Sequence, residues 1–156
     1  MLVLYDAECG LCKWLLAALL RWDQAGRLRP LALQRPEARE LLHELSADQG
    51  MASWHLISAG RRHSAGAALP PLLQALPGGR LPSAVLARFP RATETAYRWV
   101  AGHRSGLSQL VPATAKRRAS ELVRRREEAD VPARRSSTPR GLREGAPPPA
   151  SRRPGC

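Results

Sequence analysis

The chain has 156 residues, a length suited to one domain, with 25 Lys and Arg against 13 Asp and Glu for a net charge of +12. Aromatic residues make up only 4%, so any core is aliphatic, and three cysteines exclude the dense, even-numbered set of a disulfide-stapled secreted domain. The charge is uneven: residues 1–112 hold 13 basic and 8 acidic side chains (+5), and residues 113–156 hold 12 and 5 (+7).

Leu2-Val3-Leu4-Tyr5 reads as a short buried strand, and it follows Met1 at once, with no basic segment of a secretory leader. After it come Asp6-Ala7-Glu8-Cys9-Gly10-Leu11-Cys12 and then an apolar stretch, Lys13 to Trp22, which predicts a helix over residues 10–24. The apolar run Trp14–Leu20 is far below the roughly 20 residues needed to cross a bilayer. No membrane span and a cytoplasmic location are therefore expected.

A C-x-x-C pair at a strand-to-helix junction is the arrangement used for reversible dithiol chemistry. Positions i and i+3 on a helix have Cβ atoms about 5–6 Å apart, whereas a disulfide needs roughly 3.5–4.5 Å. The pair closes most easily with Cys9 at the helix start, where the backbone adjusts. There the free N–H groups and the positive end of the macrodipole favour a thiolate. Asp6 and Glu8 oppose that effect and Lys13 supports it, so a mild redox couple is expected, with no strong oxidising power.

The remaining elements alternate. Residues 28–33 predict a second strand, followed by a helix at about 37–45 that Pro36 opens. Residues 52–58 predict a third strand, and Ala59-Gly60-Arg61 turns it back into a short fourth. Residues 65–76 have helical spacing interrupted or restarted at Pro70-Pro71. Pro77-Gly78-Gly79 is a loop, and a last helix runs from about 92 to 103. The order β-α-β-α-β-β-α suits an α/β, thioredoxin-like sheet with flanking helices.

Tyr5-Asp6-Ala7-Glu8-Cys9-Gly10-Leu11-Cys12 after a short N-terminal strand resembles the DCC family of predicted thiol-disulfide oxidoreductases, named for its Asp-Cys-Cys motif. The likeness continues through Arg21-Trp22-Asp23, Gly26 to Gln34, Ser64 to Leu69 and Ala96 to Arg104, covering about residues 1–110. It implies a thioredoxin-like fold and places Asp6, Cys9 and Cys12 at the motif positions. Thioredoxin-like oxidoreductases usually carry a cis-proline at the start of the third core strand, facing the dithiol. Here Gly50-Met51-Ala52-Ser53 precedes Trp54 without a proline, and the sequence does not place Pro82 near the site.

Beyond residue 111 the composition shifts to Arg, Pro, Ser and Gly. The expected organisation is a thioredoxin-like domain over 1–111 and a largely disordered basic tail over 112–156. Residues 115–129 allow a charged helix, with Glu121 and Arg125 at a favourable i, i+4 spacing. Its only apolar residues of size are Leu122 and Val123, so it is not expected to bury itself, and deleting residues 113–156 is expected to leave the melting temperature nearly unchanged. The tail offers a weak site for an anionic partner through counterion release, though it lacks aromatics to stack bases.

Asp6 has two readings: a loop residue accepting backbone N–H groups at the helix entry, or a proton shuttle for the dithiol. The structural reading is favoured, because local geometry alone satisfies it. His43, His55, His63 and His103 are scattered without metal-ligand spacing, and Cys9 and Cys12 supply only two of the four ligands of a structural zinc site. No metal or cofactor is expected, and His55 reads as a half-buried structural histidine. Two functions remain. In one, Cys9 attacks a disulfide-containing protein or small thiol substrate, Cys12 resolves the mixed disulfide, and a separate reductant recycles the pair. In the other, an inert thioredoxin-like scaffold with a basic tail binds acidic partners or nucleic acid.

Overall fold

The computed structural model describes residues 1–137. At its centre is β1 (Leu2–Tyr5), whose alternating side chains serve two cores. Val3 and Tyr5 join one buried cluster with Leu16, Leu20, Leu56 and Leu72. Leu4 joins a second cluster with Leu31, Leu33, Ala38 and Leu42 on the opposite face. A strand buried on both sides reads as a continuous apolar run, which is why Leu2–Tyr5 shows no polar alternation.

After β1 come α1 (Gly10–Trp22), β2 (Arg29–Ala32), α2 (Pro36–Leu41), α3 (Ala47–Ala52), β3 (His55–Ser58) and β4 (Arg61–Ser64). The strand order is β2-β1-β3-β4. β2 lies parallel to β1, with Tyr5 opposite Ala32; β3 runs antiparallel to β1, and β4 antiparallel to β3. This mixed four-strand sheet flanked by helices is the α/β arrangement expected from the order of elements. Ala59 and Gly60 form the two-residue β3–β4 turn with φ of 49° and 73°, the left-handed pair that a type I′ hairpin requires.

Several boundaries differ from expectation. The third strand begins three residues late because Ser46 starts α3. The Ser46 hydroxyl accepts the Gln49 N–H, and the Gln49 side chain accepts the Ser46 N–H, both at 3.2 Å. That reciprocal cap captures residues 47–52 as helix. Residues 65–68 form a 3₁₀ turn, and Pro70-Pro71 occupy the first turn of α4 (Leu69–Gln74), where missing N–H groups cost nothing. Besides α3, two helices were not expected: α5 (Arg80–Arg88) and, after α6 (Pro90–Gly102), α7 (Arg104–Leu110).

The largest departure follows residue 112. Residues 113–137 form one helix, α8 (Ala113–Ser137), which lies along α1 and against β2. Ala119 and Val123 are fully buried in the cluster of Val3, Leu16 and Leu20, with Leu122 packed at its edge. The expectation that this segment would not bury itself is therefore corrected. Its missing apolar surface is compensated by two buried acids. Glu127 accepts hydrogen bonds from the Tyr5 hydroxyl (3.1 Å) and from the Ala32 N–H (3.2 Å) on the outer edge of β2, and it also meets Arg35 at 3.4 Å. Asp130 pairs with Arg29 at 3.2 Å. The predicted Glu121–Arg125 pair is present at 2.7 Å on the solvent side. The rest of the expected tail, residues 138–156 with Cys156, lies outside the described residues.

Candidate functional site

β1 delivers the chain to the site and α1 receives it. Tyr5 is the last residue of the strand, and four residues later Cys9 is the N-cap of α1 in an extended conformation (φ −80°, ψ 108°). Its sulfur accepts the backbone N–H of Cys12 at 3.1 Å. A cysteine thus takes the role that Ser or Asp usually fills at a helix start. The Cα atoms of Cys9 and Cys12 are 5.2 Å apart and the two sulfurs lie within disulfide distance, inside the range that allows bridging. Both residues are half-buried, so burial does not rank the two thiols. Their positions differ: Cys9 caps the helix and Cys12 lies within its first turn.

The loop between strand and helix is braced from β2. Since Tyr5 is in register with Ala32, two further residues bring Gln34 beside Ala7. The Gln34 side chain accepts the Ala7 N–H at 3.2 Å and donates to Asp6 Oδ1 at 2.9 Å. The same Asp6 oxygen accepts the Glu8 N–H at 2.9 Å. Asp6 therefore makes the local turn contacts of its structural reading. Gln34 was not singled out from the sequence; only the strand register shows it facing the motif.

Beside the dithiol runs an apolar groove of about 550 Å³, within the usual size of a small-ligand or side-chain pocket. Cys12, Leu15 and Trp22 of α1 form one wall, and Tyr97 and Val100 of α6 form another. The floor includes Ser53 and Trp54, and Asp6 and Arg104 also reach it. The residues just before β3, Met51 to Trp54, share the groove lining with Cys12, and Ser53 among them is extended (φ −149°, ψ 167°). Pro82 lies on α5 and is not part of the lining. Tyr97 holds the segment in place: its hydroxyl accepts the Trp54 N–H at 2.8 Å. Burial pushes the Tyr97 phenol up, which keeps it protonated.

The histidines stand apart from this chemistry. His55 is buried, donating from Nε2 to the Gly50 carbonyl at 2.9 Å and accepting at Nδ1 from the Ser64 hydroxyl at 2.8 Å. Among the described residues no group of three or more His, Cys, Asp or Glu gathers to hold a metal, and no helix is long and apolar enough to cross a membrane.

With this geometry in place, the comparisons identify the region that carries it. A family model, DCC1-like thiol-disulfide oxidoreductase, matches residues 3–110. That span takes in all of the sheet but Leu2, together with the dithiol and the groove, and it stops before α8. Neither the curated proteins nor the solved structures give a match.

Proposed function

The chain belongs to the DCC1-like thiol-disulfide oxidoreductase family, and on that premise we propose that it is an active oxidoreductase whose reacting groups are Cys9 and Cys12. The observation that carries the proposal is the Cys9 sulfur, capping α1 and accepting the Cys12 N–H. A capping thiolate gains both that hydrogen bond and the positive end of the helix macrodipole. The helix supports the charged sulfur at the position from which attack begins.

In the reductive direction the Cys9 thiolate attacks one sulfur of a substrate disulfide and expels the other as a thiolate. The resulting mixed disulfide joins Cys9 to the substrate. Cys12, after losing its proton, attacks the Cys9 sulfur and releases the second substrate thiol. Two electrons and two protons pass from the dithiol to the substrate, leaving the Cys9–Cys12 disulfide. A separate thiol reductant must then regenerate the pair. Asp6 serves here as a positioning residue, holding the loop through Glu8 and Gln34.

The substrate is a disulfide in a protein or small thiol compound, whose flanking apolar group the groove beside Cys12 accommodates. The unit bearing the activity extends through α8, which packs on α1 and on the edge strand β2, and a cytoplasmic location suits a dithiol of moderate potential. The competing reading, a basic module for acidic partners, draws less support. On α8, Arg124 and Arg125 are already engaged by Glu121 and Glu128.

The test uses the full chain with Cys156→Ser, so that only the motif thiols report. Cys12→Ser should trap a mixed disulfide through Cys9, and Cys9→Ser should trap little. Titration against glutathione should show an intramolecular disulfide with a potential nearer about −270 mV than the −120 mV of a strong oxidant. Equal trapping by both variants would reverse the assignment of the nucleophile. A Cys9–Cys12 bond that never forms would end the oxidoreductase reading.

A further inference from the structure

We propose that Lys116, on α8 and outside the family-matched residues, is a positioning residue for the dithiol, fixing the Gly10 backbone and holding a positive charge at the start of α1. Its side chain is half-buried, and its Nζ donates to the Ser108 carbonyl of α7 at 2.8 Å. That bond lays the aliphatic stem across Gly10, the residue immediately after Cys9. A Cβ at Gly10 would sit 3.0 Å from Lys116 Cδ, 3.8 Å from Lys116 Cγ and 3.3 Å from Ser108 Oγ. Ordinary carbon contacts are about 3.5–4.0 Å, so glycine is what lets α7 and α8 close on the redox loop. No carboxylate pairs with Lys116 among the described residues.

Charged groups near Cys9 and Cys12 include Asp6 and Glu8 in the loop, Lys13 on α1, Arg104 on α7, which lines the groove with Cys12, and Lys116 on α8. The loop's own acids disfavour a thiolate. Lys116 opposes them from a fixed position, because Ser108 holds its ammonium group in place. Where a free lysine would keep its rotamer entropy and its hydration, this one is already ordered. The proposal deepens the oxidoreductase reading and rests on it only for its biological use; thiol reactivity is measurable either way.

The experiment measures Cys9 alkylation by iodoacetamide against pH, resolved by mass spectrometry, in the reduced full chain with Cys156→Ser, alongside its melting curve. Lys116→Met should shift the profile to higher pH and slow alkylation at pH 7 about two- to fivefold, the effect of one nearby charge. Lys116→Arg should restore most of the rate. Gly10→Ala, which pushes the stem away, should slow alkylation in the Lys116 chain yet change it less than twofold in a Lys116→Ala chain, because the two effects are coupled. An unshifted profile in Lys116→Met, or equal losses from Gly10→Ala in both backgrounds, would overturn the proposal. Shifted reactivity in a chain that reduces no disulfide would instead overturn the oxidoreductase reading and leave Lys116 in its role.

Discussion

α1 and α8 lie side by side on the same face of the sheet, yet they are held there by different forces. α1 buries Leu11, Leu16, Ala17 and Leu20, and its attachment is apolar burial, which tolerates small shifts in geometry. Over residues 113–130, α8 buries Ala119 and Val123 completely, and adds the carboxylates of Glu127 and Asp130. Its attachment is directional: Glu127 must meet the Tyr5 hydroxyl and the Ala32 N–H at once. The contrast shows how a strongly charged helix can dock. It brings a short apolar stripe together with acids that satisfy donors the sheet would otherwise leave exposed on the edge strand. It also makes α8 the helix whose loss distinguishes a fold that ends at residue 111 from one that does not.

Truncation gives the largest expected effect. A chain ending at Val111 loses the burial of Val123, worth about 1.5–3 kcal/mol, and the Glu127 hydrogen bonds, worth about 1.5–3 kcal/mol where a charged group takes part. The combined loss is on the order of 5 kcal/mol, comparable with the whole stability of a marginal domain. Denaturant melts should show the Val111 truncation largely unfolded, or unfolding without cooperativity. A chain ending at Ser137 keeps every one of these contacts and should melt like the full protein. If the Val111 chain melts at the same midpoint, α8 contributes nothing to the fold and the contrast with α1 collapses.

Glu127→Ala gives an intermediate effect. It leaves the Ala32 N–H and the Tyr5 hydroxyl without their acceptor in a buried setting, at a cost of about 1–3 kcal/mol. The Arg35 partner adds little, since that guanidinium is more than half exposed and screened by solvent. Burial, reinforced by the Glu127 carboxylate, pushes the Tyr5 phenol up, so Tyr5 remains a donor across the neutral range. Tyr5→Phe should therefore cost less than Glu127→Ala, and the double variant should fall short of the sum because the two share one hydrogen bond. Strict additivity in urea melts would show that Glu127 and Tyr5 act independently.

These contacts also mark where the sequence stops being legible. The motif loop can be read locally: an apolar strand, a break, two thiols three residues apart and an apolar helix are all within one window. So can the β3–β4 turn, from Ala59-Gly60. Glu127 cannot be read this way, because its partners Tyr5 and Ala32 are 122 and 95 residues away. In isolation, a helix with Arg on most turns and two mid-sized apolar residues has the composition of a solvated one. The groove is hidden for the same reason: Tyr97 and Trp54, whose hydrogen bond joins two of its sides, are 43 residues apart. Ser46 and Gln49 are a different case. Their Ser-x-x-Gln spacing is a capping signal that is local and legible in the sequence.

The smallest expected effect concerns acid, and it decides whether acid sensitivity is to be attributed to α8 at all. His55 sits on the opposite face from α8, in register with Leu4. Burial lowers its pKa from the ordinary 6.5, with the Gly50 carbonyl only partly offsetting that and Arg62 adding to it. A histidine with a depressed folded-state pKa keeps its contribution above the unfolded value. As pH falls below about 6.5 the unfolded chain takes up the proton first, and stability declines until the folded-state pKa is passed. For one group the slope is at most about 1.4 kcal/mol per pH unit. Urea melts between pH 7.5 and 5 should show that decline in the native chain, and His55→Gln should flatten it, whatever it costs at neutral pH. A decline that persists undiminished in His55→Gln, and disappears in Glu127→Gln, would place the acid-sensitive contact at the α8 interface and make that helix the part of the fold released by low pH.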